Sequence, residues 1–213
     1  LSSRRRWIGL IFISLAVSLV IIDGTILNTI FPVIIDDLGL SSTEVQWVQE
    51  SYILVFASLL LVFGSLADRF GRKRILNIGI VVFIIASVWA GLTDSASELI
   101  LARIVQGVGG AMVLPTTLSL VNANFQGRER GIAFGIWGST IGGMVAVGPV
   151  LGGWLATDFT WRWAFMINLP IGIIILAGLL WLVPESKSPQ LAGGIDWIGA
   201  VISVVMFSTL VFG

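Results

Sequence analysis

Gly64-Ser65-Leu66-Ala67-Asp68-Arg69-Phe70-Gly71-Arg72-Lys73-Arg74-Ile75-Leu76 is the stretch whose reading decides the fold. Between Gly64 and Arg74, five charges and two glycines fall within eleven residues, and long apolar runs lie on both sides. The pattern predicts an apolar helix leading in, a tight basic turn, and a second apolar helix leading out. No other part of the chain is as dense in charge.

The surrounding composition says what kind of helices these are. Of 213 residues 56% are hydrophobic and only 11% charged, with a mean hydropathy of +1.01. A soluble domain carries about 25% charge, so the chain reads as a polytopic, all-α membrane protein. Net charge is zero, which removes the global basic field that nucleic acid would require. There are no cysteines and no histidines. Disulfides, thiol chemistry and cysteine-ligated metal are therefore excluded, and no metal or cofactor is called for. Proton chemistry near neutral pH falls to a carboxylate in an unusual environment.

Six apolar runs are long enough to cross a hydrocarbon core of about 30 Å at about 1.5 Å per residue. Span one follows Arg4-Arg5-Arg6 and runs from Trp7 to about Phe31, ended by Pro32. It is too long for a signal peptide, contains Asp23 and lacks a small-residue cleavage site. Asp36 to Thr43 then reads as a loop, with Ser42 or Thr43 capping span two, about Glu44 to Leu66. Span three runs from Ile75 to about Leu92. Span four runs from about Ser97 to Ala123 and contains Arg103 and Pro115. Span five, glycine-rich, runs from Gly131 to Ala156, and span six from Trp163 to Val183. Residues 1–183 thus form a six-span bundle, 184–196 a linker opened by Pro184-Glu185-Ser186, and 197–213 the start of a seventh span. The apolar run that stops at Gly213 reads as a cut, so the chain is expected to be part of a longer protein.

Alternating the spans places Arg4, Arg5, Arg6, Arg69, Arg72, Lys73, Arg74, Arg128, Arg130 and Lys187 on one side, ten of the 12 Lys and Arg residues. The positive-inside bias makes that side, and the N-terminus, cytoplasmic. Most tryptophans fall near span ends, as an interfacial belt requires. Trp137 is the exception.

The opening stretch resembles the loop signature of the major facilitator superfamily of transporters at every fixed position. Leu99 to Ala111, with Arg103, Gln106, Gly107, Gly109 and Gly110, resembles the span-four motif of proton-coupled members. Gly148-Pro149-Val150-Leu151-Gly152-Gly153 resembles the antiporter motif of span five. Asp23-Gly24-Thr25-Ile26-Leu27-Asn28 through Pro32, with Trp161-Arg162-Trp163 through Asn168 and Pro170, is similar to the fourteen-span drug:proton exporters of the EmrB/QacA type. Ile30 and Phe31 depart from that pattern and make the exit of span one bulkier.

The resemblance implies an N-terminal transporter half built from two inverted three-helix repeats, although no strong internal repeat is visible in the sequence. It implies proton-coupled export of amphipathic, cationic, drug-like molecules across the cytoplasmic membrane by alternating access. The partners would be protons, lipid and the missing C-terminal half of the same chain. No phosphate-binding Gly-Lys-Ser/Thr loop supports ATP-driven transport, and no covalent chemistry is implied. A metabolite or siderophore exporter of the same fold, and a non-transporting receptor or scaffold, remain as alternatives.

Asp23 and Arg103 are the residues that physical chemistry singles out. Each falls well inside a span, at depths that differ by about 4–5 Å. A charge at mid-membrane costs roughly 2.5–3.5 kcal/mol on insertion scales, so both should face the protein interior. Burial favours a neutral carboxyl, whereas a nearby guanidinium favours the carboxylate. A movement that changes their separation or hydration would therefore load or release a proton; a static ion pair is the plainer alternative. Asn28, Glu50, Gln106 and Trp137 are candidates for the substrate pathway. Glu50 shares a face with Gln46 and Gln49 and is either a vestibule carboxylate or merely interfacial; Trp137 is either a cation-stacking ring or packing. Gly131, Gly135, Gly138 and Gly142 have the spacing of a close helix contact. Gly148 and Pro149, with Gly152 and Gly153, suggest a bend. Gly64, Asp68, Arg69, Gly71, Arg72 and Arg130 form the candidate gating region. By the resemblance, Asp68, Arg72 and Arg130 would latch the two halves in the outward-open state.

Overall fold

The computed structural model describes residues 3–187 and Met206; the seventh-span assignment lies almost wholly outside the described residues. Among these the chain is all-α: α1 (Ser3–Leu38), α2 (Ser42–Phe70), α3 (Arg72–Leu92), α4 (Ala96–Asn124), α5 (Gly127–Asp158), α6 (Arg162–Met166) and α7 (Asn168–Leu182). Six spans are long and apolar enough to cross a membrane, with α6 and α7 together making the sixth.

The helices outrun the apolar runs. Pro32 does not end α1, which continues to Leu38. A proline removes only its own N–H from the ladder, and membrane helices tolerate that loss. Asp36 and Asp37 therefore belong to the last turn of α1. Gly39, at φ 61°, makes the turn that follows. The cap of α2 is Ser41 rather than Ser42 or Thr43. Its hydroxyl accepts from the Glu44 amide, while the Glu44 carboxylate accepts from the Ser41 amide, a reciprocal capping box. The charged turn of the opening stretch shrinks to the single residue Gly71 at φ 122°, between α2 and α3.

The sixth span is broken at Ile167. Its cause is Pro170, three residues further on. Pro170 has no N–H to give the Met166 carbonyl, and its ring crowds that carbonyl. The break ends α6 at Met166 and starts α7 at Asn168.

The packing has the symmetry that the sequence hid. α1 lies on α5 as α4 lies on α2; α3 packs on α4 as α7 packs on α1; α3 also meets α6 and α7. Exchanging the first three spans for the last three maps each of these contacts onto another, the arrangement of an inverted repeat. Glycines permit the closest crossings. A β-carbon on Gly79 would lie 2.6 Å from Met112 Cβ, and one on Gly109 would lie 2.7 Å from the Phe83 amide nitrogen, so α3 and α4 touch backbone to backbone.

Candidate functional site

Asp23, on α1, is buried and pairs with the equally buried Arg103 of α4. Arg103 Nη1 donates to Asp23 Oδ2 at 2.6 Å. Gln106, one turn beyond Arg103, lies on the same face of α4. Its Nε2 donates to Asp23 Oδ1 at 2.7 Å, and its Oε1 accepts from Arg103 Nη1 at 2.6 Å. The three residues singled out on spans one and four thus form a closed triangle.

Three further residues complete the site and were not singled out from the sequence as candidates. Asn168 Nδ2 donates to Asp23 Oδ1 at 3.0 Å and to Ser87 Oγ at 2.8 Å. Ser87, on α3, donates to the Phe165 carbonyl at 2.9 Å and accepts from Gln106 Nε2 at 3.3 Å. The Arg103 guanidinium lies 4.1 Å from the centre of the Tyr52 ring of α2, within range of a cation–π contact. Five of the six spans therefore converge on one carboxylate. Asn168 opens α7 just after the break and reaches both Asp23 of α1 and Ser87 of α3; Pro170 was the sequence signal of that break.

The chemistry of this cluster follows from its accounting of donors. Asp23 accepts three hydrogen bonds, one on Oδ2 and two on Oδ1, and a carboxylate so provided for needs no water. Within the cluster, two polar atoms have no partner among the described residues, Arg103 Nε and Asn168 Oδ1. Among the described residues, the buried titratable side chains are Asp23, Arg103 and Tyr52.

Of the candidates for the substrate pathway, Gln106 belongs to this cluster, and Asn28, Glu50 and Trp137 lie apart from it. Asn28 is exposed and its Oδ1 accepts from Gln49 Nε2 at 3.0 Å, joining α1 to α2. Glu50 is partly exposed and accepts from Gln46 Nε2 at 2.8 Å. Trp137 packs against the core, and its Nε1 donates to Thr117 Oγ1 at 3.4 Å.

The antiporter motif meets the span-one motif directly. A β-carbon on Gly148 would collide with the Thr25 side chain, and one on Gly152 would lie 3.1 Å from the Ile26 carbonyl oxygen and 3.2 Å from Thr29 Cβ. Gly153 has open space, and Pro149 is exposed within a continuous α5. Nor does any described residue approach Gly131, Gly135, Gly138 or Gly142. Among the described residues the close helix contact expected for that stripe is therefore absent, and α5 meets α1 through Gly148 and Gly152 instead.

In the gating region, Arg72 makes an ion pair with Asp68 at 2.7 Å across the Gly71 break. Gly64 faces Pro115 Cβ at 3.7 Å. The Arg69 side chain is exposed over the Phe70 ring. Arg130 does not join Asp68 and Arg72: its guanidinium donates to Asn122 Oδ1 at 3.1 Å. The third member of the cluster is Glu185. Its carboxylate accepts from the amides of Lys73 and Arg74 at 3.0 Å each, while the Ser186 carbonyl accepts from the Arg72 amide at 3.0 Å. The first amides of α3, which have no partner inside the helix, are thus capped from more than a hundred residues away. Gly71 leaves the room, since a β-carbon there would lie 2.8 Å from the Glu185 carboxyl group.

A matching clasp holds the other end of the bundle. Arg162 bridges Asp37 at 2.9 Å and Asp94 at 2.7 Å, and Trp161 Nε1 donates to Asp37 at 2.8 Å. It ties the ends of α1 and α3 to the start of α6.

The sequence profile of the Major Facilitator Superfamily matches residues 13–212. The chain belongs to this superfamily. It is 41% identical over 199 residues to the puromycin resistance protein of Streptomyces alboniger, covering 93% of this chain and 39% of that protein. It is 38% identical over 209 residues to the multidrug efflux pump LfrA of Mycolicibacterium smegmatis, covering 98% and 41%. The chain therefore spans about two fifths of the length of these relatives, and what it matches is an N-terminal transporter half. A bacterial homologue of the human lysosomal transporter Spinster, solved inward-facing and unoccupied, superposes with a TM-score of 0.70 at 22% identity, covering 92% of this chain and 49% of that one. The superfamily assignment and the six apolar spans make this a multi-pass membrane protein, and its relatives are transporters rather than enzymes.

Proposed function

We propose that this half belongs to a proton-coupled antiporter that exports amphipathic, cationic drug-like molecules across the cytoplasmic membrane, with the N-terminus in the cytoplasm. The observation that carries the reading is the buried Asp23–Arg103 pair at 2.6 Å. Desolvating both charges costs several kcal/mol per ion before their attraction is counted, and a merely structural contact between α1 and α4 is better served by apolar packing. A carboxylate whose protonation follows a change in its hydration or in its distance from the guanidinium has a use for that expense. Resistance and efflux relatives support export of drug-like molecules, and the partly exposed carboxylate of Glu50 supports a cationic substrate. The substrate path and the second half of the gate would be completed by the C-terminal half, against which the open stripe from Gly131 to Gly142 would lie.

In this reading Asp68, Arg72 and Glu185 hold the cytoplasmic end of α3 and bias the state that is closed to the cytoplasm, and Gly148 with Pro149 lets α5 bend against α1. The test is dye uptake into inverted vesicles containing the full-length protein under an imposed pH gradient. Uptake that collapses with the gradient supports antiport. Its absence, for every cationic dye tried in correctly inserted protein, favours a receptor or scaffold.

A further inference from the structure

We propose that the Asn168 side-chain amide turns over with the protonation of Asp23, donating to the carboxylate and accepting from the acid. The proposal rests on the reading of Asp23 as the coupling carboxylate and adds the group that stabilises its proton-loaded form.

The observation behind it is an asymmetry between two amides on the same oxygen. Both Gln106 Nε2 and Asn168 Nδ2 donate to Asp23 Oδ1. The carbonyl of Gln106 is held by Arg103 Nη1. The carbonyl of Asn168 is buried and accepts nothing. An unpaired buried acceptor costs about 1–3 kcal/mol, so Asn168 sits in an orientation that satisfies the ionised carboxylate at its own expense. A proton arriving at Oδ1 turns that oxygen into a donor. Two amide donors then face an O–H, and one must give way. Gln106 is pinned through its oxygen, and Asn168 is not. A half-turn about the Asn168 amide axis places Oδ1 where Nδ2 was, facing Asp23 Oδ1–H and Ser87 Oγ. Ser87 follows by turning its one hydroxyl proton from the Phe165 carbonyl to the Asn168 oxygen. The Gln106 N–H keeps a lone pair of Oδ1.

The titratable groups that face Asp23 are Arg103 on α4 and Tyr52 on α2, and the polar groups from α3 and α7 are Ser87 and Asn168. Arg103 is a donor throughout, Ser87 Oγ already accepts from Gln106 Nε2 and Asn168 Nδ2, and Tyr52 meets Arg103 through its ring, which leaves Asn168 Oδ1 as the unpaired acceptor beside the acid. Asn168 is thus a positioning residue acting on the protonation of another.

The two possibilities differ at the Asn168 carbonyl. If Asn168 only donates, its Oδ1 has no partner in either form of Asp23. If it turns over, its Oδ1 gains the acid proton as a partner. The experiment is infrared difference spectroscopy of the full-length protein during pH titration, following two bands together: the carboxylic acid C=O band that Asp23→Asn abolishes, and the side-chain amide C=O band that Asn168→Leu abolishes, or Asn168→Ser if the leucine variant does not fold. Turnover predicts that the amide band moves to lower frequency as the acid band grows, because its oxygen becomes hydrogen-bonded. An amide band that stays in place while the acid band grows overturns the proposal. Absence of any acid band assignable to Asp23 removes the coupling reading and this inference with it.

Discussion

Arg103 reaches Asp23 across 80 residues of sequence and closes on it at 2.6 Å in the interior of the bundle, with Gln106 bonded to both. Each charge is tolerable there because of the other. Arg103→Met therefore leaves a buried carboxylate supported only by two amides, and breaking such a pair costs about 3–5 kcal/mol. The expected result is a large fall in Tm in detergent. Adding Asp23→Asn to the same protein should recover most of that loss. A single and a double variant of equal stability would show that the pair is not energetically coupled.

The glycines of α5 divide into two groups that substitution should separate. Gly148→Ala drives a methyl into Thr25 and is expected to cost about 1–3 kcal/mol, as overpacking does. Gly135→Ala meets open space within this half and is expected to stabilise the helix by roughly 0.5–1 kcal/mol. The comparison is a pair of thermal denaturation curves on this half alone. Repeating it on the full-length protein asks a second question: if Gly135→Ala is stabilising in the half and damaging in the whole, the stripe meets the other half.

Glu185 offers a test of the gating region that does not touch Asp68. Glu185→Ala removes the acceptor for two first-turn amides of α3, at about 0.5–2 kcal/mol for a lost cap. Hydrogen exchange at the Lys73 and Arg74 amides should speed up by several-fold to tenfold, with little change in the middle of α3. Unchanged exchange would mean that these amides are held by something other than the linker. Arg130→Ala, by contrast, should leave those two amides as they are, because Arg130 bonds Asn122.

The parts of this molecule that local physics fixes were legible in the sequence, and the parts fixed by distant contacts were not. Six spans followed from hydropathy and length, and the common depth of Asp23 and Arg103 followed from counting residues along two helices. The capping box at Ser41 was also legible in the Ser-x-x-Glu spacing, although Ser42 and Thr43 lie nearer the apolar run. Pro32 and the Asp36–Asp37 pair looked like a helix end because proline and charge end helices in water, and a membrane helix keeps the rest of its ladder. Pro170 announced the break at Ile167, and with it the position of Asn168. Glu185 carried no such signal: its capping of α3 exists only after the chain has folded back. The assignment of Arg130 to the Asp68 cluster came from resemblance, and the turn at Phe125 and Gln126 aims it at Asn122 instead.

The central claim is that the proton carried in exchange for substrate is carried by Asp23. Its most direct test is transport in proteoliposomes of the full-length protein, comparing the parent with Asp23→Asn for two activities measured together: uphill substrate movement driven by a pH gradient, and substrate exchange with no gradient. The neutral amide fills the same space and removes the titrating group. The account predicts that gradient-driven accumulation is lost while exchange and membrane insertion persist. Gradient-driven accumulation at the parental level in Asp23→Asn would contradict it.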